Sequence, residues 1–114
     1  MPVQVSAERF EELVDDALDG LPEEIIGMLD NVAVLVSDGR PDGPLGLYEG
    51  TPLTARGQYG YLDLPDRVTI FRLPLCRLAT DEDHLVREVR VTVVHELGHH
   101  LGIDDRRLHE LGYG

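Results

Sequence analysis

The sequence predicts an α+β domain in which a small β-sheet packs against one long helix near the C-terminus. Leu85, Val89, Val93, Leu97 and Leu101 fall at successive steps of four, one apolar stripe along the segment from Asp81 to Leu101, as a helix buried on one face requires. VAVLV at 32–36, a shorter run at 45–48 and RVTIFRL at 67–73 are patterned as strands. A chain of 114 residues supports one modest core and is too short for two, so residues 1–114 are read as one domain.

Each element has a local reason. Ser6 suits the N-cap of a first helix running to about Leu18, because Phe10, Leu13, Val14, Ala17 and Leu18 keep helical spacing and Gly20 stops it. Pro22 fits the first turn of a second helix over 23–29, and Asn31 breaks it. VAVLV then reads as a nearly all-apolar, buried strand. The stretch from Ser37 to Asp66 holds many of the glycines and prolines and reads as loop around a short strand from Leu45 to Tyr48. A loop of that length in a compact domain points to function. RVTIFRL alternates as a further strand, and Pro74 ends it. In the long helix, Val91, Thr92, Val93 and Val94 alone would look like a strand, but the stripe continues unbroken through them, so helix prevails. Asp81, Glu82 and Asp83 at its start complement the helix dipole. Gly102 is its C-cap, and a last short helix covers about 104–111.

Composition narrows the partners. Lys and Arg number 10 against 22 for Asp and Glu, a formal charge of -12, which argues against nucleic acid and against an anionic membrane surface. A peptide partner is expected to be neutral or basic. The N-terminus lacks the positive start and apolar run of a secretory signal, and no segment approaches the ~20 apolar residues that span a bilayer. The single cysteine, Cys76, cannot form an internal disulfide and reads as a small buried apolar side chain. A cytoplasmic protein is the expectation. The oligomeric state is left open, a homodimer included.

The stretch VVHELGHHLGIDD, residues 93–105, carries the chemistry. On a helix His95 and His99 project from one face with Cβ atoms about 5–6 Å apart, close enough to share one ion. Imidazole nitrogens at roughly 2.0–2.1 Å suit tetrahedral zinc. Glu96 is turned about 100° from His95, so it borders the ion without ligating it, the place of a general base for a metal-activated water. Gly102 lets the chain turn sharply, so that a carboxylate beyond it, Asp105 or its neighbour Asp104, can swing back as third ligand. Three protein ligands leave one position for water, the mark of a catalytic site.

HELGHHLGIDD resembles the extended zinc motif HExxHxxGxx(H/D) of the zincin metallopeptidases, in the version with aspartate third. The runs LGLYEGTPL (45–53) and LPDRVTIFRLPL (64–75) extend the resemblance to the short bacterial proteins known as minimal zincins. It implies one Zn2+ per chain held by His95, His99 and Asp105, with Glu96 as the base, and a peptide or protein substrate. It also implies that the strand before the active-site helix, RVTIFRL, is a sheet edge on which an extended peptide adds main-chain hydrogen bonds. The chain departs from the larger metzincins in having no Met-turn, since Met1 and Met28 lie far upstream. The floor of the site is therefore expected from Leu108, Leu111 or Tyr113, with Tyr113 between Gly112 and Gly114 the first choice and a frayed terminus its alternative. A catalytically weak or inactive peptide- or metal-binding module on the same fold is the second functional reading.

Other residues have plainer readings. His100 points away from His99 and is expected to be exposed or to support a ligand. His109 reads as a surface histidine, and His84 lies too far along the helix to reach His95. Tyr48, Tyr59 and Tyr61 are expected to pack rather than to stabilise an oxyanion.

Overall fold

The computed structural model describes residues 2–50 and 65–113. Helix α1 (Ala7–Asp19) starts where the Ser6 hydroxyl accepts from the Arg9 N–H at 3.1 Å and buries Phe10, Leu13, Val14 and Ala17. Helix α2 (Glu23–Met28) follows Pro22, and a 3-10 turn over Leu29–Asn31 leads into the sheet. The sheet has three described strands, β1 (Val32–Ser37), β2 (Gly46–Glu49) and β3 (Asp66–Phe71), in the order β1-β3-β2. Strand β1 runs parallel to β3, with Val34 opposite Val68, and β2 runs antiparallel to it, with Tyr48 opposite Val68.

This order corrects two expectations. RVTIFRL supplies the middle strand and not an edge, because β3 pairs on both sides. Its main chain is thus committed to the sheet, and β1 and β2 are the edges of the described sheet. VAVLV lies at an edge of the described sheet and is only partly covered: Val32 is buried while Leu35 is 45% exposed. Val34, Val68 and Tyr48 share one face by register, and Leu35, Thr69 and Leu47 the other, where Leu47 is also 45% exposed.

The strand also ends earlier than Pro74. Residues Arg72–Leu78 form α3, and Pro74 lies in its first turn, where a missing N–H removes no helical bond. The Leu73 N–H of that turn donates to the Asp38 carbonyl at 2.9 Å. Cys76 is buried on α3, and burial pushes its thiol up from the ordinary value, as for an inert packing residue.

The long helix α4 (Glu82–Leu101) forms through the β-branched run as the stripe predicts. Leu85, Val89, Val93 and Leu97 are fully buried, whereas Leu101 is 40% exposed. The Asp81 carboxylate caps it by accepting from the His84 N–H at 2.7 Å, and Gly102 closes it at φ +80. Helix α5 (Asp105–Glu110) buries Leu108. Forked ion pairs staple the helices: Arg9 to Glu82 joins α1 to α4, and Arg107 to Glu24 joins α5 to α2. Each arginine holds its carboxylate below the usual range. Arg90 of α4 donates to the Ala17 carbonyl at 2.9 Å, satisfying the end of α1. Among the described residues no helix is long and apolar enough to cross a membrane.

Candidate active site

Helix α4 turns its leucine and valine stripe into the core and leaves His95 and His99 exposed. Their ring-bearing positions are separated by roughly 40° around the axis. Both line a cavity of about 290 Å³, together with Val91, Thr92 and Glu96 of the same helix. The opposite wall is Pro44, Leu45 and Gly46, where the chain enters β2. His95, Glu96 and His99 are thus brought together, and the start of β2 borders them.

The close approach of β2 to α4 depends on a residue that the sequence reading passed over. A Cβ on Gly46 would lie 2.6 Å from Thr92 Cγ2 and 3.5 Å from Glu96 Cγ. Only glycine lets the strand sit that near the helix. Thr92 can turn its methyl to the strand because its hydroxyl is satisfied within the helix, donating to the Glu88 carbonyl at 2.8 Å. A glycine inside a strand pattern signals such contact, so LGLYEG carried the clue.

Tyr48 belongs to the support of the site. Its ring stacks on His100, with centroids 4.5 Å apart and planes 6° from parallel, and its hydroxyl donates to Asp66 Oδ2 at 2.5 Å. His100 therefore braces the end of α4 against β2. Tyr59 and Tyr61 lie outside the described residues. His84 stays at the far end of α4, where Nδ1 accepts from the Thr80 N–H at 3.0 Å, and His109 is exposed on α5.

The two aspartates beyond Gly102 take different places. Asp104 is the N-cap of α5, its carboxylate accepting from the Arg107 N–H at 2.8 Å. Asp105 is the first residue of that helix, is exposed, and does not line the cavity. Among the described residues no three His, Cys, Asp or Glu side chains gather into a group that could hold an ion. Two imidazoles beside a carboxylate suit zinc in chemistry, so His95 and His99 fit two positions of a zinc sphere, while the third carboxylate is not brought in. The described residues after α5, Leu111 to Tyr113, fold back on the domain. Gly112 takes φ +91, the Tyr113 N–H donates to the Leu108 carbonyl at 2.8 Å, and the half-buried Tyr113 packs against the core. The Tyr113 carbonyl lies 2.8 Å from His95 Nε2. Tyr113 thus meets the site through its main chain.

Fold and site together define a small domain of the zincin class, with a histidine-bearing helix packed beside β2. The model of the zincin-like metallopeptidase family matches residues 29–114, and the chain belongs to that family. The solved structure of a conserved hypothetical protein from Thermo thermophilus is similar over 84% of this chain and 94% of that chain, at 29% identity and a TM-score of 0.56. No curated protein matches the chain.

Proposed function

We propose that the protein is a zinc-dependent peptidase, with residues 1–114 acting as one domain and Glu96 as the general base. The observation that carries this reading is the shared cavity of His95, Glu96 and His99, walled on its other side by the start of β2. His95 and His99 would hold the metal, and Asp105 would join them if the turn after Gly102 moves. Zinc, when bound, would supply Lewis acidity toward the scissile carbonyl and toward water. Glu96 accepts a proton at its carboxylate and returns it to the leaving amine. An extended peptide would lie across the cavity mouth between α4 and the start of β2. Leu45, Pro44 and Val91 offer it an apolar wall.

The position of Asp105 outside the cavity favours a second reading, a binding module that holds peptide or metal without turnover. Elemental analysis tests the metal on which the first reading depends. Wild type is expected to hold about one zinc per chain, as a site with one open position does, and the His95→Ala, His99→Ala protein essentially none. Equal zinc in the two proteins would remove the peptidase reading.

The aspartates give opposed expectations. Asp104→Ala should cost about 1 kcal/mol of stability through the lost helix cap and leave zinc affinity alone. Asp105→Ala should weaken zinc affinity with little change in melting temperature. Chelator competition and thermal unfolding on both variants read the contrast, and the reverse pattern would make Asp104 the ligand.

A further inference from the structure

We infer that the chain carries its own stopper for the metal position: the main-chain carbonyl of Tyr113 occupies His95 Nε2 and must leave before that nitrogen can bind an ion. The inference rests on the reading of His95 as a ligand. The oxygen stands 2.8 Å from Nε2, whereas an ion bound there at about 2.0–2.1 Å needs the same space. One atom cannot serve both.

The contact is aimed by the fold. Leu108 is 6% exposed and anchors α5 in the core, and its carbonyl accepts the Tyr113 N–H at 2.8 Å. Gly112 at φ +91 reverses the chain between them, the left-handed turn that commonly closes a helix. Tyr113 packs against the core, so its carbonyl is directed back at α4. Nothing lies within 4 Å of a Cβ placed on Gly112, so a substitution there acts through backbone conformation and not through a clash. Among the described residues the stopper is held by the Tyr113 N–H bond and the packing of its ring, and it opens at that turn. Metal uptake is thereby coupled to release of the segment around Tyr113.

Two variants and one measurement on wild type test this. A β-branched residue is strained at positive φ while asparagine tolerates it, so Gly112→Val should free the carbonyl and Gly112→Asn should keep it in place. If the stopper is worth one ordinary hydrogen bond, removing it raises apparent zinc affinity roughly 3- to 10-fold. Competition with a chromophoric chelator should show that rise, with faster zinc uptake, for Gly112→Val, and wild-type values for Gly112→Asn. Hydrogen exchange on wild type should show the Tyr113 N–H losing protection as zinc is added. Zinc affinity that is unchanged or weaker in Gly112→Val at an unaltered melting temperature would overturn the stopper, as would Tyr113 protection that rises with zinc. If wild type binds zinc through His95 and His99 at the affinity of Gly112→Val, the stopper alone falls. If wild type and the double histidine variant hold equal zinc, the ligand reading falls with it.

Discussion

Glu96→Gln is expected to reduce peptide hydrolysis by roughly 10²- to 10⁴-fold, the usual contribution of a positioned general base, while zinc content stays at the wild-type level. The two effects separate because Glu96 borders the cavity but stands off the face shared by His95 and His99. Glutamine keeps the shape of the side chain, including its packing toward Gly46, so the strand and helix should hold their spacing. An amide cannot take up a proton as a carboxylate does, and that function alone is removed. Cleavage of a broad peptide library and zinc per chain, measured on the same preparations, give the result. Equal cleavage by both proteins would assign the activity to another group. If wild type cuts nothing yet binds extended peptides, the binding-module reading takes precedence.

The long helix was legible because its apolar stripe outweighs the local β preference of Val91 to Val94, and tertiary burial of Val93 and Val94 is what decides such a conflict. The first helix was legible from Ser6 and the spacing of Phe10 to Ala17 for the same reason. Strand order was not. A middle and an edge strand differ in their neighbours and not in their own pattern, so RVTIFRL gave no sign that it pairs on both sides. Helix α3 was hidden by Pro74, which breaks a helix in its interior but is tolerated in a first turn. In the site, His95, Glu96 and His99 follow from helical spacing alone, and the structure places all three on one cavity. The aspartates do not, because their places depend on how the chain leaves Gly102. Here Asp104 is drawn into capping α5. The Tyr113 carbonyl leaves no trace in side-chain identity, since main-chain contacts are made by every residue type.

Leu97→Ala should be among the most costly single changes to stability, about 2–5 kcal/mol by analogy with other buried leucines. Leu97 is fully buried and lies roughly 200° around α4 from both His95 and His99. The face that anchors the helix is therefore nearly opposite the face that would hold the ion. Truncation removes apolar contacts and leaves a void that the surrounding side chains fill only in part. Against a total stability of about 5–15 kcal/mol for a domain of ordinary size, that loss is a large fraction. One turn further on, Leu101 is 40% exposed, and Leu101→Ala should cost less, since a large share of its surface already meets water and the void left by truncation opens to solvent. Urea unfolding of the two variants, followed by circular dichroism, compares positions that are equivalent in the sequence stripe and unequal in the fold. Because the cavity opens on the far side of the helix, folded Leu97→Ala protein should still take up zinc as wild type does. Equal stability losses at Leu97 and Leu101 would mean that the helix end is buried in solution, and a loss of zinc from folded Leu97→Ala would mean that the core side of α4 sets the histidine geometry directly.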